Sequence, residues 1–141
     1  MDTAWKKKLI ETALEYQKRA YTPYSHYNVG AALLTEGGVI YGGCNVENAS
    51  YGMTNCGERT AFFKAISEGE KTFTAIAIVG GKTSGEGASF SDYAYPCGAC
   101  RQVMKEFCKD DFLVIVAKDA QDYKEYTLEE LLPHGFGGSN V

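Results

Sequence analysis

The chain has 141 residues, a net charge of −4 and a 45% hydrophobic fraction. This suffices for a single domain, 1–141, and carries no signature of disorder. No apolar stretch nears the ~20 residues of a membrane span, and Lys6-Lys7-Lys8 is the only basic run, so neither a membrane nor a nucleic-acid polymer is expected as a partner.

Thr3 to Tyr21 reads as an amphipathic helix, with Trp5, Leu9, Ala13 and Tyr16 at helical spacing and Pro23 beyond its end. Val29–Leu34 and Val39–Cys44 are apolar runs around Thr35-Glu36-Gly37-Gly38, a hairpin pattern. A second helix is expected from Cys56 to Glu68, closed by Gly69. Phe73–Val79 reads as a buried strand, and Gly80–Ser91 as a Gly- and Ser-rich loop. Pro96 opens a third helix through Cys108, followed by a buried strand at Phe112–Ala117 and a short one at Tyr123–Tyr126. Thr127-Leu128-Glu129-Glu130 is a capping-box start for a last short helix ending near Pro133. Strands alternating with helices predict an α/β fold, a sheet covered by helices.

Met1–Tyr16 has lysines but no apolar block with a small-residue cleavage site, so no secretory signal is expected. The five cysteines are an odd number and fit a disulfide framework poorly. Reduced thiols, a cytoplasmic setting and metal binding are the better reading.

Three of these cysteines carry the chemistry. Cys56-Gly57-Glu58 is followed, forty residues on, by Pro96-Cys97-Gly98-Ala99-Cys100. Cys97 and Cys100 can share the first turn of one helix, and Cys56 can begin another. Helix N-termini favour thiolate over thiol. Three thiolates can hold Zn²⁺ and leave its fourth position to water. Glu58 lies two residues from one ligand and can serve that water without binding the metal. Three thiolates on Zn²⁺ sum to −1, so nearby cations are needed; Arg59 and Arg101 directly follow the motif segments and are the candidates. A ligand-x-Glu segment before Pro-Cys-x-x-Cys is the pattern of zinc deaminases of nucleobases. Blander readings stand beside these. Cys44 could close a structural Cys₄ site, whereas Cys108 lies too far along its helix. Glu58 could be the third residue of a capping box on Asn55. His26 and His134 fall at no ligand spacing.

Nearly the whole chain resembles the small homotetrameric cytidine deaminases. The matching segments are Tyr24-Ser25-His26-Tyr27 with Val29-Gly30-Ala31-Ala32-Leu33-Leu34, Asn45-Val46-Glu47-Asn48-Ala49, Cys56-Gly57-Glu58-Arg59, Pro96 to Val103, and Glu130-Leu131-Leu132-Pro133. The resemblance implies a three-layer fold, a mixed five-stranded sheet with helices on both faces. It implies zinc on Cys56, Cys97 and Cys100, and Glu58 as proton carrier. Asn45 and Glu47 match residues that hold the ribose 3′-hydroxyl. Tyr27 matches an aromatic, usually Phe, that packs on the pyrimidine, and Gly57 stands where Ala is common. Ala49, Tyr51 and Phe136 match residues that reach a neighbouring subunit's site; simple core or interface packing is the alternative for Tyr27, Tyr51 and Phe136. The implied reaction is hydrolytic deamination of cytidine and 2′-deoxycytidine in pyrimidine salvage, by a homotetramer with shared active sites. A deaminase of a modified nucleoside such as blasticidin S, and a non-catalytic zinc-stabilised interaction module, are the rival readings.

Overall fold

Apolar periodicity sets the elements, and their order along the chain decides where the helix ends meet. The computed structural model describes residues 3–83 and 89–141. The elements are α1 (Ala4–Gln17), β1 (Tyr27–Thr35), β2 (Ile40–Cys44), α2 (Gly57–Ser67), β3 (Phe73–Thr83), β4 (Ser89–Asp92), α3 (Gly98–Phe107), β5 (Leu113–Ala117), β6 (Tyr123–Thr127) and α4 (Leu128–Leu131). Five strands lie in the order β2-β1-β3-β5-β6, and β4 pairs with β3 off this path. β3 and β5 are parallel; the other neighbours are antiparallel. This is the expected mixed five-stranded sheet, with one short strand added.

Alternation along the strands divides the core in two. Ala32, Ala75, Ala77, Val79, Ile115 and Ala117 face α1, where Leu9, Ile10 and Ala13 are fully buried. Ala31, Leu33, Ile76, Ile78, Val114 and Val116 face the other side and pack with Phe62 of α2, Met104 of α3 and Leu128 of α4. The α1 face is rich in alanine, which lets a single helix lie close to the sheet. The opposite face takes the large aromatics: the Phe62 ring contacts Phe73 edge-on at 5.3 Å and stacks on Phe107 at 6.3 Å. Among the described residues no helix is long and apolar enough to cross a membrane.

Topology brings two helix starts together. α2 leads into the start of β3, and α3 leads into the start of the parallel β5. The N-termini of both helices therefore lie toward the ends where β3 and β5 finish, the usual site-bearing edge of such sheets.

Two expectations are corrected. α1 ends at Gln17, not Tyr21, because the chain then turns to pair: Tyr21 N–H donates to Asn45 O at 3.0 Å and Tyr21 bridges Val46. Gly80–Ser91 is not simply a loop. β3 continues to Thr83 because β1 offers a partner as far as Tyr27, opposite Lys82. Ser89–Asp92 then returns along it as β4, while 84–88 lie outside the described residues. The expected capping box at Thr127 is present, with Glu130 N–H donating to the Thr127 hydroxyl at 3.2 Å and Thr127 N–H to the Glu130 carboxylate at 2.8 Å.

Candidate active site and metal centre

Each of the two converging helices begins with a cysteine. Cys56 is the N-cap of α2 and Cys97 the N-cap of α3. The Cys97 sulfur accepts the Cys100 N–H at 3.4 Å, capping the first turn of α3. Cys56 and Cys97 Sγ are 3.8 Å apart, Cys97 and Cys100 Sγ 3.3 Å, and all three lie within 4.8 Å of one another. A tetrahedral zinc with Zn–S bonds of ~2.3 Å places its sulfurs about 3.8 Å apart. The three sulfurs fit such an ion, and zinc is the cofactor of this site. Neither Cys44 nor Cys108 joins the group among the described residues, so the closed Cys₄ reading fails. Burial alone pushes the Cys108 thiol up to about 12, as for an inert core cysteine.

The charges are arranged for a metal. The hydrogen bond with Cys100, and then the Arg59 guanidinium, pull the Cys56 thiol down to about 5 against partial burial. Cys100 is displaced upward by the same hydrogen bond and by burial. Arg59 Nη2 donates to Cys56 Sγ at 3.2 Å. Arg101 is placed differently. It donates to Pro96 O at 2.8 Å and Leu131 O at 2.7 Å, and makes no hydrogen bond to a sulfur among the described residues. Its geometry braces the start of α3 against α4.

Glu58 is only 5% exposed. Its capping-box reading is corrected: the cap is Cys56, not Asn55, so Glu58 is the second helical residue and points inward. Asn55 donates instead to the Thr60 hydroxyl at 3.1 Å. Burial, and to a lesser degree the Cys56 charge, push the Glu58 carboxyl up to about 7 from an ordinary 4.5. A carboxyl that exchanges its proton near neutrality is suited to act as both acid and base.

A cavity of about 280 Å³ opens over these groups, lined by Tyr27, Asn45, Cys56, Glu58 and Cys97 among others. Tyr27 is half-buried beside Val29 and Ala94; burial, then the Asp92 and Glu58 carboxyls, raise its phenol above the usual range. Asn45 Oδ1 accepts Val29 N–H at 2.9 Å and Nδ2 donates to Tyr27 O at 2.8 Å. Glu47 lies in an adjoining cleft with Tyr24, Ser25 and Tyr51, and Thr54 lines both spaces. Ala49, Tyr51 and Phe136 are exposed and are not among the residues lining the cavity of their own chain, Tyr51 at 73% and Phe136 at 60%.

Sequence reasoning missed one wall. Tyr93, Ala94 and Tyr95 also line the cavity. The Tyr95 and Tyr126 hydroxyls meet at 2.9 Å, and Tyr93 donates to Asp122, so β6 and the turn before it hold this segment. The only local signal was two tyrosines immediately before Pro96-Cys97.

The zinc-binding region of the cytidine and deoxycytidylate deaminases matches residues 3–116. The chain is 48% identical over 135 residues to the cytidine deaminase of Sporosarcina psychrophila, covering 96% of this chain and 93% of that one. It is 47% identical over 133 residues to the cytidine deaminase of Halalkalibacterium halodurans, covering 94% and 95%. The crystal structure of cytidine deaminase from Burkholderia pseudomallei superposes with a TM-score of 0.81 at 43% identity, covering 96% of this chain and all of that one. With its cysteine triad, buried glutamate and sheet order accounted for, the chain belongs to the cytidine and deoxycytidylate deaminase family of zinc-binding proteins.

Proposed function

We propose that the protein is a zinc-dependent hydrolase, one domain over residues 1–141, that converts cytidine and 2′-deoxycytidine to the corresponding uridines with release of ammonia. The observation that carries this is Glu58, buried beside a cavity lined by Cys56 and Cys97, with the Cys100 sulfur within 4.8 Å of theirs. Cys56, Cys97 and Cys100 would hold the zinc, which would supply an acidified water as the nucleophile. Glu58 would take a proton from the attacking water at its carboxylate and hand it to N3 of the pyrimidine as C4 gains its hydroxyl. It would then carry the proton of that hydroxyl to the amine, so that C4=O forms as the C–N bond breaks and ammonia leaves. Arg59 offsets thiolate charge, and Tyr27 packs on the base. All five cysteines are free, which suits a cytoplasmic setting and a role in pyrimidine salvage. The test is ammonia release from a panel of cytosine, cytidine, deoxycytidine, CMP and blasticidin S. Turnover of cytidine and deoxycytidine is expected; turnover of blasticidin S alone would replace this reading.

Valence decides how a sugar hydroxyl would be held. Asn45 has one N–H left after its bond to Tyr27 O. Glu47 already accepts Tyr24 N–H, Ser25 N–H and the Ser25 hydroxyl, and has lone-pair capacity left on Oε2. A 3′-hydroxyl would therefore accept from Asn45 and donate to Glu47. Glu47→Ala should lower kcat/KM for cytidine by roughly 10- to 150-fold, the value of a hydrogen bond to a charged group. For 3′-deoxycytidine, which lacks the hydroxyl, the same substitution should cost markedly less. Equal losses on both nucleosides would make Glu47 purely structural.

The active form we propose is a homotetramer with shared sites. Phe136, Tyr51 and Met53 are 60%, 73% and 69% exposed, a large apolar surface for one chain to leave in water. Light scattering should give about 62 kDa from chains of 15.4 kDa. Phe136→Ala should raise the cytidine KM and leave zinc content unchanged, because the lost contact is to a neighbour's ligand. A fully active monomer would exclude both roles.

A further inference from the structure

The turn between α1 and β1 has an unusual backbone. His26 adopts φ 56°, the left-handed region that non-glycine residues seldom enter. The strain is held from two sides. His26 N–H donates to Thr22 O at 3.1 Å, and Thr83, at the end of β3, donates to His26 O from its N–H at 2.7 Å and its hydroxyl at 3.1 Å. The extension of β3 beyond Val79 to Thr83 is thus what pins this turn.

What the turn achieves is visible in its hydrogen bonds. Glu47 Oε1 accepts Tyr24 N–H at 3.0 Å and Ser25 N–H at 3.1 Å, and Oε2 accepts the Ser25 hydroxyl. The same Ser25 oxygen accepts Tyr27 N–H at 3.0 Å. At its other end Tyr27 gives its carbonyl to Asn45. Tyr27 is therefore gripped at its N–H by a group tied to Glu47, and at its C=O by Asn45. A hydroxyl can donate once and accept twice, so Ser25 can make both bonds at once. No other side chain bridges Glu47 to Tyr27 among the described residues.

We propose that Ser25 is a positioning residue for the nucleoside: through one hydroxyl it ties the sugar-recognising carboxylate of Glu47 to the aromatic wall at Tyr27. The proposal rests on the nucleoside reading above. The separation of those two groups must match that between a ribose hydroxyl and a pyrimidine face. Ser25 fixes it in advance of binding, when ordering two loose groups would weaken affinity. Ser25 is exposed and contributes nothing to the core, so its loss should act on binding rather than on folding.

The test uses the zinc-loaded full chain and steady-state kinetics on cytidine. Ser25→Ala should raise KM about tenfold and leave kcat within about threefold, since the group lost ordered a charged acceptor and touched no reacting atom. Zinc content and melting temperature should be unchanged. Ser25→Thr keeps the hydroxyl and should restore KM to within about twofold of wild type. Ser25→Cys keeps the size but donates weakly; its KM should lie between, and it carries the test if Ser25→Ala does not fold. In a Glu47→Ala background Ser25→Ala should add less than about twofold, because the tie has lost its far end. An unchanged KM in Ser25→Ala, an equal loss in both backgrounds, or a Thr variant as impaired as Ala would overturn the proposal. Wild-type protein inert toward cytidine would instead overturn the activity reading and this proposal with it. Normal wild-type turnover with a silent Ser25→Ala would overturn Ser25 alone.

Discussion

Glu58→Gln should keep about one zinc per chain and lose at least ~10²–10⁴-fold in turnover, the range for a removed general acid–base. The amide preserves size and leaves the three sulfurs untouched, so metal content separates a lost proton carrier from a collapsed site. The same variant should report the cost of burying the carboxylate. In the metal-free chain Glu58 holds its proton up to about 7, against an ordinary 4.5. The folded state binds that proton more tightly than the unfolded one. Its stabilising contribution is full below pH ~4.5 and is lost as pH rises through ~7. The interval corresponds to about 3 kcal/mol. Chelated Glu58→Gln should therefore resist urea better than chelated wild type at pH 8, and the advantage should shrink toward pH 4.5. Near-normal turnover in Glu58→Gln would remove Glu58 from the chemistry. A stability gap independent of pH would show that the carboxyl is not buried as described.

Local pattern and long-range partnership divide what could be read from the chain. The helices and main strands follow from periodicities of 3.6 and 2, and the pairing of Cys97 with Cys100 follows from a three-residue spacing that one helix turn closes. Residues whose role depends on distant partners were less legible. Gly80-Gly81-Lys82-Thr83 has loop composition, yet it is strand because Tyr27–Val29 lies ready to pair with it. Tyr93 and Tyr95 owe their place in the cavity to Asp122 and Tyr126, about thirty residues on. The capping reading of Glu58 failed by one residue, since Asn55 is as good an N-cap by type as Cys56 is poor. What decided it was the position of the sulfur beside two others from α3. Arg101 shows the limit of adjacency: it follows a ligand directly, yet two backbone carbonyls claim its guanidinium.

Gly43 is where the packing of the fold and the geometry of the site become one problem. It lies in β2, paired with Ala31, under the first turns of α2. A Cβ there would stand 2.5 Å from Ala61 N and 2.6 Å from Gly57 O. Both are backbone atoms of α2, which cannot swing aside as a side chain can. Relief to ordinary contact requires α2 to move away by roughly 1 Å. That helix carries Cys56 at its cap and Glu58 in its first turn, whereas Cys97 and Cys100 ride on α3. The displacement would pull one ligand from the other two by several times the ~0.2 Å that a zinc site tolerates. Gly43→Ala should cost about 3 kcal/mol of stability, the upper range for overpacking, and lower the melting temperature by about 10 °C. It should also release zinc to a competing chelator far faster than wild type and lose turnover in step with the metal. Gly37→Ala, in the β1–β2 turn with only the Thr35 hydroxyl at 3.8 Å, is the matched control and should change neither property. Stability lost with zinc fully retained would mean that the sheet, not α2, absorbs the added methyl. No loss of either would mean that α2 does not rest on Gly43.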